Sequence, residues 1–239
     1  MTLDPNSLVT TPDLLERIEM ASLRLVVQAL YEFKNDAVQI FSIEQDRVKT
    51  IGEDITREAL DRLSTSGIPI RLSGDVDYKR ARFYFHPDFS LRQALFVDSK
   101  AEKGAPNVAR VQVSQTSMPI RYINSKTGVT IDKSGTMPEI YQHADGPCLT
   151  TSIFVKYHYA EQLDLYNLTS ITILCIPNGM LAAIYNPTPQ NTIWQFGPDS
   201  PTLGEKFRAR VNFSALRAKA PWRVQRVAIG EGLPFTWDG

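Results

Sequence analysis

The hydrophobic period of this 239-residue chain changes once, near Gly67, and that change limits the folds open to it. Before it, Leu14, Ile18, Ala21 and Leu25 recur at three- or four-residue spacing, and Leu23, Val26, Val27, Leu30 and Phe33 widen the stripe. That is the core-facing side of an amphipathic helix. Thr11 stands as its N-cap and Pro12 at its first position, where a missing N–H costs nothing. A second helix is predicted from Glu53 to Leu63, where Ile55, Ala59 and Leu63 repeat every fourth residue and Ser64, Ser66 and Gly67 end the run.

After Gly67 the pattern is that of strands. Ile68 to Leu72, Asp77 to His86 and Leu91 to Ala101 read as three, the last two joined by the turn-rich His86-Pro87-Asp88-Phe89-Ser90. A hairpin is predicted around Asn124 to Gly128, and a strand from Ser170 to Ile176, stopped by Pro177-Asn178-Gly179. Phe207 to Phe213 alternates apolar with basic, which sets Arg208 and Arg210 on one face. Thr150 to Tyr159 is open between a strand, which its β-branched and aromatic content favours, and the crossover helix that a parallel strand pair would call for. Residues 185–204, with four prolines and two glycines, read as an ordered loop. Without internal repeat or linker pattern, the expectation is one α/β domain over 1–239, mainly helical in 1–70 and sheet-bearing in 71–239.

Composition removes several classes. At 43% hydrophobic and 22% charged residues the chain is too apolar for a disordered tail. No run approaches the roughly 20 apolar residues of a membrane helix. Met1-Thr2-Leu3-Asp4 lacks the basic-then-apolar start of a secretory signal, so a cytoplasmic protein is expected. Cys148 and Cys175 are too few for a disulfide framework and read as reduced, buried thiols. His86, His143 and His158 lack zinc-ligand spacing. The net charge of zero conceals an asymmetry. Residues 1–70 hold 7 basic and 12 acidic side chains, whereas 201–226 hold 7 basic and 1 acidic.

The chemistry concentrates in the hairpin from Asp77 to Lys100. With its turn centred near Asp88, Asp77 and Asp98 stand at matching distances from the turn, to within a residue or two, and so come near one another across the strand pair. Asp98 and Lys100 share a face by the period of two. Two converging carboxylates repel, and a divalent cation with oxygen ligands resolves this. Mg²⁺ suits such a pair, because it keeps several waters and accepts phosphate oxygens. Lys100 would orient or deprotonate an attacking water, or stabilise charge on a phosphate. The alternative from spacing alone is a surface hairpin with ordinary cross-strand ion pairs.

The residues Gly74-Asp75-Val76-Asp77-Tyr78-Lys79-Arg80-Ala81-Arg82 and Leu95-Phe96-Val97-Asp98-Ser99-Lys100-Ala101 resemble the active-site region of the SfiI-type restriction endonucleases. Glu53-Asp54-Ile55-Thr56, Thr150 to Val155 and Pro221-Trp222-Arg223 are similar to the same family, in the same order, so the resemblance spans about residues 20 to 226. It implies the PD-(D/E)xK fold, a central mixed sheet flanked by helices. It implies Mg²⁺-dependent cleavage of both strands of duplex DNA at a palindromic site, interrupted and G/C-rich, by a homodimer or homotetramer. It implies Asp77 and Asp98 as metal-binding acids and Lys100 as the catalytic lysine. Val76 departs from the proline of the general pattern.

Arg208 and Arg210 lie in a region similar to the family's DNA-reading strand. They would either read guanine in the major groove or meet phosphates only. Lys206 is expected at phosphate or as a surface residue, and Arg82 either at the scissile strand or in a structural ion pair. Glu102 shares the face of Asp98 and Lys100, as a water-mediated metal ligand or a solvated rim residue. Two readings compete with site-specific cleavage: a PD-(D/E)xK nuclease of repair or recombination, and a DNA-binding module without catalysis.

Overall fold

The computed structural model describes residues 2–43, 48–64, 71–76, 79–104, 107–162, 165–197, 207–230 and 234–239. Three helices come first: α1 (Pro12–Glu32), α2 (Lys34–Ile43) and α3 (Val48–Ser64). Strands β1 (Arg71–Val76), β2 (Lys79–His86) and β3 (Leu91–Lys103) follow as an antiparallel meander. The short strands β4 (Val108–Gln112), β5 (Ile120–Ile123), β6 (Thr130–Lys133) and β7 (Ile140–His143) lead into two long ones, β8 (Gly146–Gln162) and β9 (Leu165–Ile176). A short helix α4 (Ala182–Tyr185), β10 (Trp194–Gln195), β11 (Arg208–Asn212), α5 (Phe213–Lys219) and β12 (Val224–Ala228) complete the order.

The main sheet has the order β1-β2-β3-β8-β9-β12, with β7 also paired to β8. Among the described strands only β3 and β8 run parallel, in the register Lys100↔Lys156, so the sheet is mixed, as expected for the fold class. A second sheet has the order β10-β11-β4, and β5 with β6 forms a separate hairpin.

The strand pleat decides what each face of β3 carries. Leu91, Gln93, Leu95 and Ser99 are buried beneath the helices. Ser22 of α1 meets Gln93 at 2.9 Å, and Ser99 Oγ donates to Thr56 Oγ1 of α3 at 2.7 Å. On the opposite face Ala94 and Phe96 pack with Phe83, Met137 and Cys148 in a small second core. That face then turns polar at Asp98, Lys100 and Glu102, so one strand face passes from core to site within three residues.

Several expectations are corrected. Thr150 to Tyr159 lies within strand β8, and among the described residues the crossover from β3 to its parallel partner holds β4 to β7 and a single 3-10 turn, with no α-helix. About a dozen residues suffice for such a crossover, and strands can fill it as well as a helix. Helix α2 has no counterpart in the sequence reading, and α3 begins at Val48, not Glu53. The expected loop over 185–204 contains α4's last residue, Tyr185, and β10. The expected strand from Asp77 corresponds to β2 from Lys79, while Asp77 and Ile68 to Ile70 lie outside the described residues. Thr11 stands at the α1 N-cap position but makes no side-chain capping bond.

Candidate active site and nucleic-acid interface

Asp98 and Lys100 emerge where β3 leaves its core. The Lys100 ammonium donates to Asp98 Oδ2 at 2.8 Å and stands 5.1 Å from the centre of the Phe154 ring on β8. Both side chains are about one-third exposed, so the pair is open to a ligand. The β2–β3 ladder runs from His86↔Leu91 to Ala81↔Phe96. Two further residues along this register bring position 79 opposite 98, where the sequence had set 77.

Helix α3 adds an acid that sequence reasoning quoted only as part of a similar stretch. The Glu53 carboxyl is held above its ordinary 4.5 by partial burial first and then by the Asp98 charge, while Lys100 opposes the rise. Glu53, at the exposed side of α3, therefore lies within electrostatic reach of the Asp98–Lys100 pair. Its approach depends on Gly52: a Cβ there would stand 3.0 Å from the Tyr157 ring and 3.5 Å from the Ala101 nitrogen. Thr56, one turn later, bonds both Ser99 and the Tyr157 hydroxyl and pins the helix to β3 and β8. The sequence carried no signal for this approach, because the predicted helix began only at Glu53 and left Gly52 outside.

Among the described residues no group of three or more His, Cys, Asp or Glu forms a ready metal cage. Glu53 and Asp98 do converge. A carboxyl whose ionisation is opposed by a neighbouring carboxylate, beside a partly exposed strand face, fits a hard cation that keeps several waters.

The other candidates divide. Arg82 donates to Asp61 of α3 at 2.6 Å, the ion-pair alternative of the sequence reading. Glu102, weighed as a metal-shell or rim residue, instead accepts at 2.7 Å from the buried Lys156 ammonium. Lys206 lies outside the described residues. Arg208 and Arg210 do share a face of β11. With Arg210↔Arg110 and Arg208↔Gln112 as register partners, that face also carries Arg110 and Gln112 of β4 and Gln195 of β10. The opposite face, with Ala209, Val211, Ala109, Val111 and Trp194, is buried in the core. Arg210 is itself buried, lying against Gly197 so closely that a Cβ at Gly197 would collide with its guanidinium. Arg110 and Gln112 were missed, although Val108-Ala109-Arg110-Val111-Gln112 shows alternation from Ala109 onward.

His158 has a structural role. Its Nδ1 donates to the Gly104 carbonyl at 3.0 Å and its Nε2 accepts from Thr172 Oγ1 at 2.9 Å. Burial, and then the Lys156 charge, push it below the ordinary 6.5. A histidine lowered in the folded state adds stability that is complete above its unfolded value and lost as pH falls beneath it. His158→Gln should therefore flatten the decline of the melting temperature between pH 7 and 5. His86, also lowered by burial, should leave part of that decline in place.

Comparison with known proteins identifies the arrangement. A family model described as type II restriction enzyme SfiI matches residues 15–227. The type II restriction enzyme SfiI of Streptomyces fimbriatus is 36% identical over 237 aligned residues, spanning 94% of this chain and 88% of that protein. The crystal structure of tetrameric restriction endonuclease SfiI bound to cognate DNA superposes with a TM-score of 0.80 at 34% identity, over 94% of this chain and 89% of that one. The restriction endonuclease BglI bound to its DNA recognition sequence gives a TM-score of 0.76 over 94% of each chain, and at 16% identity it speaks to the fold alone. The chain belongs to the SfiI family of type II restriction enzymes.

Proposed function

We propose that this restriction endonuclease hydrolyses phosphodiesters in both strands of duplex DNA at an interrupted, G/C-rich palindrome, with Mg²⁺ as cofactor, and that it acts in the cytoplasm as a homodimer or homotetramer. The observation that carries the reading is the Lys100 ammonium 2.8 Å from the partly exposed Asp98 carboxylate on one face of β3, with Glu53 of α3 near enough for the Asp98 charge to raise its carboxyl. SfiI, which is tetrameric in its DNA complex, supports the oligomer. A palindrome is read by a symmetric pair of subunits. No described helix is long and apolar enough to cross a membrane.

In this reading Asp77, Asp98 and Glu53 supply the oxygen ligands for Mg²⁺. When bound, the ion would polarise the scissile phosphate and acidify a water. The protein's own groups do the rest. Asp98 fixes the Lys100 ammonium by their hydrogen bond, and Lys100 holds a proton close to the developing charge on the phosphate. The face of β4 and β11 with Arg110, Gln112, Arg208 and Arg210 seats the duplex and reads it, and Lys206 takes a phosphate. Arg82, bound to Asp61, steadies α3 and thereby Glu53.

The test is incubation with plasmid and Mg²⁺. Discrete fragments are expected, lost in chelator and recovered on adding the ion back. Diffuse or branch-directed cutting would favour repair or recombination, and binding without cutting a recognition module. Duplex binding should weaken steeply with salt, with a logarithmic slope of about −0.9 per phosphate neutralised. Glu53→Gln should slow cleavage about 10- to 100-fold and raise the Mg²⁺ concentration needed for half-maximal rate. An unchanged Mg²⁺ requirement would remove Glu53 from the site.

A further inference from the structure

Lys156 is a lysine with no place in the chemistry above, and it is fully buried. Burying an ammonium is unfavourable unless it is paired, and an apolar side chain of that length would pack there at less cost. The position of its ammonium suggests what is gained. Nζ donates to Glu102 Oε2 at 2.7 Å and to the Val108 carbonyl at 2.5 Å, and it stands 5.8 Å from the Phe213 ring centre.

Each of these contacts belongs to a different part of the machinery. Glu102 lies two residues beyond Lys100 on the same face of β3. Val108 opens β4, the strand that pairs Arg110 and Gln112 with Arg210 and Arg208. Phe213 directly follows β11. One buried cation thus bonds the strand that carries Asp98 and Lys100 to the first residue of β4, beside the ring of the residue that follows β11. The connection between them is secured nearby. Gly104 bonds through its N–H to the Tyr159 carbonyl at 3.0 Å and through its carbonyl to His158. The Phe213 N–H donates to the Asn107 carbonyl at 3.2 Å, and Asn107 Nδ2 to Ser214 Oγ at 2.6 Å.

We propose that Lys156 is a positioning residue that fixes the second sheet to the catalytic strand, so that correct seating of the sheet on cognate DNA and correct placement of Asp98 and Lys100 against the phosphate are a single event. The proposal rests on reading β4 and β11 as the DNA-contacting face. A loosened tie would leave binding largely intact, because the duplex contacts remain. It would misplace the reacting groups, and an error of about 1 Å in such placement costs about 100-fold in rate.

Lys156→Met alone strands the Glu102 carboxylate and would confuse stability with function. The decisive protein is the double variant Lys156→Met with Glu102→Met, which removes both charges, a replacement that buried ion pairs commonly tolerate without loss of stability. Thermal unfolding, equilibrium binding of a cognate duplex without divalent ion, and single-turnover cleavage of cognate and singly altered sites are measured together. The expected result is unfolding and binding close to wild type, cognate cleavage slower by about 100-fold, and a reduced ratio of cognate to altered-site cleavage. A stable double variant that cleaves with wild-type rate and discrimination would overturn the proposal. So would binding and cleavage that fall in parallel. If the double variant does not fold, Glu102→Gln, which keeps an acceptor for the ammonium and only weakens the tie, is measured in its place, with binding retained and a smaller loss of cleavage rate and discrimination expected; wild-type cleavage and discrimination in it would overturn the proposal. Wild-type protein that cuts no DNA would defeat the functional reading itself, and Arg208→Ala or Arg210→Ala with unchanged discrimination would defeat the assignment of the DNA-contacting face. Neither outcome resembles a failure confined to Lys156.

Discussion

Asp98→Ala is expected to lower the rate of DNA cleavage by at least about a thousandfold, roughly 4 kcal/mol of transition-state stabilisation, while duplex binding persists. Three effects coincide on that carboxylate. In the proposed mechanism it is the residue by which β3 would offer Mg²⁺ an oxygen ligand. It is also the 2.8 Å partner that orients the Lys100 ammonium. Its charge, after burial, is the leading influence raising the Glu53 carboxyl. Without it Lys100 is free to swing, Glu53 drops back toward the ordinary carboxylate range, and the site loses one negative charge. Removing that charge takes repulsion away from the phosphate backbone, so binding measured without divalent ion should be unchanged or tighter. Asp98→Asn should be equally inactive, because the amide preserves shape and not charge. Cleavage within tenfold of wild type in either variant would show that the hydrolytic centre lies elsewhere.

The largest stability effect is expected at Arg223, far from any cleavage chemistry. Its side chain is wholly buried and donates to Glu19 Oε2 of α1 at 2.7 Å, with Glu16 at 3.4 Å. The guanidinium lies 4.2 Å from the Trp222 ring centre and 4.4 Å from that of Tyr185. Glu19 also accepts from the Asn178 N–H at 2.8 Å, so this pair fastens the first helix to the chain after β9 and before β12. Arg223→Met leaves a buried carboxylate without its counter-charge, a loss of about 3–5 kcal/mol. For a domain of this size that is on the order of 10 °C in melting temperature. Burial already holds the Glu19 carboxyl above 4.5, and Arg223 is the main influence opposing the rise. In the variant it rises further, folding takes up a proton, and stability falls as pH increases through the window above 4.5. The deficit should therefore be greatest at neutral and alkaline pH and shrink on acidification. Replacing Glu19 by Leu in the Arg223→Met background should recover most of the loss. A deficit that ignores pH would mean that the pair is not what holds α1.

Local pattern in the chain reached as far as local physics reaches. The stripe from Leu14 to Phe33 determined α1, because a helix facing a core must repeat its apolar residues at its own period. The alternation from Arg208 to Asn212 determined β11 and its polar face. The run Ala94 to Val97 followed by Asp98 and Lys100 determined that a strand would carry an acid and a lysine out of a core. The similarity of the flanking motifs to the SfiI-type enzymes carried the family, as the 36% identity over most of the chain bears out. Helix α2 was missed because its apolar pattern is short and ambiguous.

What the sequence could not determine is which distant residues meet. Glu53 stands 45 positions before Asp98, and nothing in either neighbourhood indicates that Gly52 lets α3 approach the sheet until Glu53 and Asp98 sense one another. Lys156 reads as an ordinary lysine in a strand, and only the parallel register of β8 on β3 sets it level with Lys100 and beneath Glu102. Arg210 reads as a candidate base contact and Arg82 as either a scissile-strand contact or an ion-pair partner, and only packing shows that Arg82 is bound to α3 and Arg210 folded against Gly197. Periodicity fixes the face a side chain takes on its own element, since that depends on backbone geometry alone. Its partner across the fold is fixed by packing and by the need to compensate every buried charge, and those are properties of the assembled tertiary structure.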